Sequence, residues 1–283
     1  MRGESMPMQV KPLGDVMAAE ITGVDLCAPV SDALKASLKQ AIADHLVICI
    51  RDQDLTPREL ADASRLFGPL KTFVLREDRI DEAPEVSIVS NRPKLNDGKP
   101  LVQAKHWHTD DSYLAAPATL TLLYAKTLPK DGGDTEFISC YDVLDALPAA
   151  MRSRVANLRA VHKYLSRRNA SWVAERSAEE EAETPEVDHL MIRTHPLSGR
   201  QSLYINPNRI DRIAGWSDAE SDALLDELYE FAFQPQFQYR HKWRYGDLVV
   251  WDNRCTMHRA NADYDIDQPR VMHRVMLEGE IPR

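Results

Sequence analysis

The chain has 283 residues, a formal net charge of −9, and hydrophobic and charged shares of 43% and 28%. That length supports one large domain, 1–283, with a full core. The acidic balance argues against nucleic acid as a partner, yet leaves room for a locally basic site that takes a small anion. No apolar run approaches the roughly 18 residues of a membrane helix, and the first residues lack the apolar segment of a signal peptide. Cys27, Cys49, Cys140 and Cys255 are widely spaced, with no C-x-x-C. They read as free thiols of a reducing compartment, so the expected location is cytoplasmic, with no membrane partner.

Residues 10–26 read as irregular strand, broken by Gly14 and Gly23. Ser31 then caps a helix with Leu34, Leu38, Ala41 and Ile42 on one face. The apolar run 46–50 predicts a strand buried on both sides. Thr56 to Glu59 form a capping box with Pro57 at the first helical position, and that helix is expected to end at Gly68-Pro69. Residues 85–90 are a short strand. The aperiodic stretch 91–104 follows, with Pro93, Gly98 and Pro100, and is expected to be a mobile cover. Strands are expected over 118–126 and 134–140, joined by the Gly132-Gly133 turn. Helix is expected over 141–158, with a break near Pro148, and strand over 159–165.

Residues 166–188 carry seven acidic side chains, including Glu179, Glu180 and Glu181. The plain reading is a solvated helix or loop; the sharper one is a second lid. A hairpin is expected from 190–195 and 201–206 around Ser198-Gly199. Ser217 to Glu220 form another capping box, opening a helix with Leu224, Leu225 and Leu228 inward. Strands over 236–243, 248–251 and 271–277 close the chain. The pattern suits a mainly β sandwich with helices packed outside.

The chemistry concentrates in His106-Trp107-His108-Thr109-Asp110-Asp111-Ser112. Taken as extended chain, His108 and Asp110 point the same way, with His106 on the same face one step back. Two such ligands need a third from elsewhere to hold a catalytic metal. Of nine histidines, His258 stands just past the strand 248–251, followed by Arg270 and Arg274. Arg270, Met272 and Arg274 share one face of the last strand by its period of two. Two arginines on an inward face call for an anion. Two histidines and a carboxylate form the facial triad of non-haem Fe(II) oxygenases, which leaves coordination positions open. The same donors also suit a zinc hydrolase, though paired Arg270 and Arg274 with Thr135 argue against one, and a non-catalytic binding module on a jelly roll would not need the triad. A lone H-x-D is weak; the ordered set of H-x-D, distant His and following Arg is more specific.

Further clusters are Ala19-Glu-Ile-Thr-Gly-Val-Asp-Leu26, Phe67-Gly68-Pro69, Gly132-Gly-Asp-Thr135, Arg193-Thr-His-Pro196, Gly246-Asp247 and Trp251-Asp-Asn-Arg254. With Trp107-His-Thr-Asp110 they span nearly the whole chain. In these the sequence resembles the taurine dioxygenase and chlorophenoxyacetate dioxygenase family of Fe(II)/2-oxoglutarate oxygenases. The resemblance implies a double-stranded β-helix, or jelly roll, with external helices. It implies Fe(II) on His108, Asp110 and His258, and 2-oxoglutarate on Thr135 and Arg270, with Arg274 near its iron-side carboxylate and near an anionic substrate. It further implies O2 as co-substrate, release of succinate and CO2, and a homo-oligomer, dimer or tetramer. Halogenases of this superfamily lack the carboxylate ligand, so Asp110 favours hydroxylation, with cleavage next to a heteroatom or desaturation as the other outcomes. At the family's substrate positions this chain has Phe73, Arg76 and Ala104, which disfavours taurine and suggests a more apolar contact at Phe73.

Overall fold

The computed structural model describes residues 8–169 and 172–283. Two layers of strands form its centre. The larger sheet runs, in spatial order, Gln9–Pro12, Ala19–Thr22, Val47–Ile50, Leu248–Asp252, Leu120–Thr127, Val271–Leu277, Ala83–Ser90 and Arg79–Ile80. The pairing of Ala19–Thr22 with Val47–Ile50 is parallel, and that of Leu248–Asp252 with Leu120–Thr127 is antiparallel. The smaller sheet is Gln238–His241, Thr135–Ser139 and Thr256–Ala260. Phe137 of the small sheet meets Trp251 of the large one edge to face, with ring centres 5.5 Å apart. This is the jelly-roll architecture with helices outside.

The strand period of two explains how one sheet serves two cores. In Val47–Ile50 all four residues are buried. Ile48 and Ile50 pack outward with Leu38, Ile42 and Leu60 of the flanking helices, while Val47 and Cys49 pack inward with Phe137 and Trp251. Tyr124 and Leu122 likewise face the helices, and Leu123 and Ala125 face the second sheet. A third core lies beyond the small sheet, where Leu224, Leu225 and Leu228 of the helix Asp218–Ala232 meet Ile138 and Met257.

The capping signals mark helix starts correctly. The Ser31 hydroxyl accepts from the Leu34 amide, and Thr56 and Ser217 both make reciprocal boxes with Glu59 and Glu220. The helix after Thr56 ends sooner than expected, at Ser64, because the next turn tightens: Leu66 and Phe67 amides donate three residues back, to Ala63 and Ser64. The stretch before Arg159 splits around Pro148 into Cys140–Ala146 and Ala149–Val155.

Several strands escape the sequence reading, among them the two-residue pieces Leu70–Lys71 and Arg79–Ile80 and the longer Thr256–Ala260 and Ile210–Ile213. Thr256–Ala260 lacks an apolar alternation because its inward residue is a histidine, and Ile210–Ile213 is masked by Asp211 and Arg212. Within 166–188 the structure has a short helix, Ala178–Ala182, and the start of a strand, Val187–Leu190, which pairs with Arg159–His162.

Candidate active site

Thr256–Ala260 pairs along Thr135–Ser139 so that His258 faces Phe137 and Ala260 faces Thr135. Directly opposed residues project to the same side of a sheet, and so do residues two apart. The ladder therefore sets the His258 and Thr135 side chains on one face. His108 joins that face through a single antiparallel bridge: its amide donates to the His258 carbonyl at 3.0 Å and its carbonyl accepts from the His258 amide at 2.7 Å.

The H-x-D stretch is not a strand, which corrects the extended reading. Beyond the bridge the chain turns, with Asp111 in the left-handed region at φ 56°. His106 is likewise not on this face. Its ring lines a separate surface depression with Trp107, Arg168 and Arg259, and only its carbonyl serves the site, accepting from His108 Nδ1 at 2.9 Å.

His108 Nε2 lies 3.7 Å and His258 Nε2 3.9 Å from Asp110 Oδ1. The three donor atoms all fall within 4.8 Å of one another, and the two ring centres are 4.2 Å apart. Burial and the neighbouring His108 push His258 down to about 3. Burial also lowers His108. Burial raises the Asp110 carboxyl, but His258, Arg274, His108 and the Thr121 hydroxyl outweigh it and hold the group at about 2. At neutral pH the trio is two neutral imidazoles and one carboxylate, the protonation states a divalent ion needs. With Nδ1 of His108 spent on a carbonyl, the lone pair on Nε2 is directed at Asp110 and the ion position.

A buried polar scaffold fixes the carboxylate. Thr121 Oγ1 donates to Asp110 Oδ2 at 2.7 Å, leaving Oδ1 toward the histidines. Asn253 Nδ2 donates to that same hydroxyl oxygen at 2.8 Å, and Trp251 Nε1 donates to Asn253 Oδ1 at 2.9 Å. The Thr109 hydroxyl donates to the Asn253 carbonyl, and Asn206 Nδ2 donates to the Thr109 carbonyl. Thr121, Asn206 and Asn253 thus hold the H-x-D turn, yet none was singled out from sequence. Asn253 had a signal, its place in Trp251-Asp-Asn-Arg254; Thr121 and Asn206 had none. Asp252 of that cluster faces away, paired with His195 and with Arg254.

Thr135 is buried, and its hydroxyl accepts from Trp243 Nε1 at 3.0 Å. Arg270 is 6% exposed. Its Nε donates to the Gly133 carbonyl at 2.9 Å, and a Cβ on Gly133 would come within 3.2 Å of the arginine stem. Burial pushes its guanidinium down, and Nη2 is buried with no hydrogen-bond partner among the described residues. A charged group so placed suits a carboxylate ligand.

Arg274 sits differently. Its guanidinium lies 4.1 Å over the Phe73 ring and donates from Nε to Ser87 Oγ. It lines a pocket floored by His108 and Asp110 and walled by Phe73, Leu95, Ala104, Tyr113, Tyr164 and Trp172. Phe73 and Ala104 thus both line this pocket. Arg76 is not among the lining residues. It is turned to Glu183 at 2.7 Å and Glu180 at 3.6 Å, an exposed ion-pair cluster. Parts of 91–104 and 166–188 do border the pocket, through Pro93, Leu95 and Gln103 and through Asn169, Trp172 and Val173.

A second set of potential ligands, Cys49, His241 and Asp247, also converges. Arg51 already holds Asp247 at 2.6 Å, and burial raises the Cys49 thiol far up. A guanidinium and a neutral thiol make this a hydrogen-bonded core network.

Residues 9–276 match the family described as taurine catabolism dioxygenase TauD, TfdA family. The alpha-ketoglutarate-dependent 2,4-dichlorophenoxyacetate dioxygenase of Cupriavidus pinatubonensis is 32% identical over 95% of this chain and 97% of its own. The alpha-ketoglutarate-dependent sulfate ester dioxygenase of Pseudomonas putida is 30% identical over 98% and 92%. The crystal structure of AAD-2 in complex with Mn(II) and N-oxalylglycine superposes with a TM-score of 0.82 at 32% identity, covering 98% of this chain and 99% of that one. The chain belongs to the TauD/TfdA family of 2-oxoglutarate-dependent dioxygenases.

Proposed function

We propose that this enzyme, a non-haem Fe(II)- and 2-oxoglutarate-dependent dioxygenase, hydroxylates a small organic anion with an apolar or aromatic body. The observation that carries this is the convergence of His108, Asp110 and His258, the first two of which floor a pocket that also holds Arg274 over Phe73. In this reading the trio holds Fe(II). Thr135 and Arg270 hold the far carboxylate of 2-oxoglutarate, since a buried guanidinium with an unpartnered Nη2 gains from an anion. When bound, Fe(II), 2-oxoglutarate and O2 together supply the oxidation of a substrate C–H, with succinate and CO2 released.

The chain's own residues do the positioning. Thr121 and Asn253 orient the Asp110 carboxylate, and the His106 carbonyl sets the His108 tautomer. Arg274 anchors the substrate's acid group, and its stacking on Phe73 places an apolar contact beside that anchor. Segments 91–104 and 166–188 serve as lids that exclude water. Relatives that act on 2,4-dichlorophenoxyacetate and on sulfate esters support an anionic substrate. The same reading makes the protein a cytoplasmic homo-oligomer, dimer or tetramer, with a small molecule as its partner rather than nucleic acid or a membrane. The net charge of −9 argues against nucleic acid, and four cysteines outside any disulfide fit a reducing compartment; among the described residues no helix is long and apolar enough to cross a membrane.

The test is succinate release with Fe(II) across aryloxyalkanoates, alkyl sulfates, sulfonates, carboxylates and amino acids. Anions with apolar bodies should be the strong hits. A strong hit confined to neutral compounds would sink the role given to Arg274.

A further inference from the structure

Arg274 is not the only guanidinium in the pocket wall. Arg209 lines it too, together with the carboxylate of Asp78, and among the described residues none of these three makes an ion pair. Asp78 couples electrostatically to Arg274, whereas the Arg209 guanidinium lies beside two phenol rings. Its backbone is pinned on both sides: its amide donates to the Asn206 carbonyl at 3.1 Å, and its carbonyl accepts from the Lys163 amide at 2.8 Å. Its guanidinium carbon sits 5.0 Å from the ring centres of both Tyr113 and Tyr164, and one N–H donates to the Tyr164 carbonyl. A guanidinium has five N–H donors in a rigid fork. Two aromatic faces hold this fork in place at low entropic cost, which is preorganisation for a ligand.

We propose that Arg209 is a second anion-recognition residue, and that the substrate is an organic dianion with an acid group at each end of an apolar body. This rests on the reading of the pocket given above and narrows it. One acid group meets Arg274 beside Phe73, the other meets Arg209 beside Tyr113. The body between them lies over the floor formed by His108 and Asp110, held at both ends and so fixed in the face it offers to the metal site. A bland alternative exists for Arg209: it clamps the Tyr164 segment and touches no ligand.

The experiment compares a phenoxyacetate with the same ring bearing a second carboxylate para to the ether. Affinities for the anaerobic enzyme loaded with Fe(II) and 2-oxoglutarate are measured by calorimetry, and kcat/KM by succinate release. The parent should favour the dianion by roughly tenfold or more, the scale of a charged hydrogen bond. Arg209→Gln should collapse that ratio, chiefly by raising KM and the dissociation constant of the dianion, and Arg209→Lys should restore part of it. A clamp would instead weaken both ligands in proportion and leave the ratio intact, which overturns the proposal. A parent enzyme that prefers the mono-anion overturns it equally. Failure of the underlying reading looks different: the parent would release no succinate from 2-oxoglutarate with Fe(II) under any condition, including without added organic acid.

Discussion

The floor and the outer wall of the pocket are built by opposite means. The floor and its support stand on paired strands: His258 and Thr135 two rungs apart in one sheet, Thr121 and Trp251 opposed in another, and His108 bridged to His258. Every one of these positions is fixed by main-chain hydrogen bonds to a neighbour. Most of the wall comes from segments outside the central strands, among them Phe73, Asp78, Leu95, Ala104, Trp172 and Arg209, while Ile88, Val89 and Arg274 project from two strands of the large sheet. Arg270 and Arg274 part company within four residues: Arg270, just before the strand Val271–Leu277, is pressed against Gly133, while Arg274, on that strand, reaches the wall and rests on Phe73. Where the ladder sets geometry, the chemistry is common to any substrate; where loops set it, the choice of substrate is decided.

Substitutions can break that division. The largest effect belongs to the floor. His108→Ala removes one of three donors, and succinate release should fall below detection for every substrate and in its absence, with Fe(II) bound per chain reduced in parallel. A variant that still consumes 2-oxoglutarate at the parent rate would remove the metal role from this trio. Next is Arg270→Met, which keeps volume and deletes a buried charge. Losing one partner of a buried charged pair costs about 2–5 kcal/mol, so KM for 2-oxoglutarate should rise on the order of 10²-fold. Without 2-oxoglutarate the same change should leave Tm unchanged or raised, because a buried charge with no anion is itself unfavourable. A matching fall in Tm would mark Arg270 as a structural residue only.

Thr121→Val probes the scaffold one step out. It strips the hydrogen bond that orients Asp110, and outer-shell changes of this kind weaken metal affinity roughly 10–100-fold. Titration of Fe(II) or Mn(II) should show that loss with little change in kcat at saturating metal. If metal affinity is unaltered, Asp110 does not depend on the Thr121–Asn253 chain.

The floor should also show in the pH dependence of the metal-free protein. His258, His108, His162, His189 and His241 are all lowered by burial, His258 to about 3. Below the unfolded value of about 6.5 the unfolded chain binds protons that the folded chain refuses, so stability drops as pH falls from there toward the folded pKa. Each such group contributes up to about 1.4 kcal/mol per pH unit in that window. Asp110, held at about 2, acts in the same direction only at lower pH, its contribution present above the usual aspartate value of about 3.9 and lost as pH falls through about 2. Tm should therefore decline clearly between pH 7 and 5. A flat profile there would mean the imidazoles are not held neutral.

The contrast between floor and wall also governs what could be read from the chain itself. The trio His108, Asp110 and His258, which the fold brings together, and the buried Thr135 and Arg270 were legible as candidates because each belongs to a motif whose residue types have few other uses together. The strand carrying His258 was not, since its inward position is polar and hides the period. Nor was the turn at Asp111, because a left-handed aspartate leaves no composition signal. The wall was half legible: Phe73 and Ala104 fall at the pocket, but Arg209 lies far from every motif and reaches the pocket only through tertiary packing.

Arg76 gives the smallest expected effect and the cleanest separation. The family resemblance aligns it with a substrate position, while its plainer reading is a solvated loop charge, and its side chain is turned to Glu183 and Glu180 on the short helix Ala178–Ala182 and just after it. Exposed ion pairs of this sort are individually weak. Arg76→Ala should therefore leave KM for the best anionic substrate within about twofold, while Phe73→Ala, which removes the face under Arg274, should raise it by roughly 2- to 30-fold, the range of a cation–π contact. What Arg76→Ala should change is the tether between the 76–78 turn and the 178–183 segment, read as faster proteolysis of 166–188 in the substrate-free enzyme. If instead Arg76→Ala raised KM as much as Phe73→Ala, the acidic helix and its arginine would have to move into the pocket during binding, and 166–188 would be part of the recognition surface rather than a cover over it.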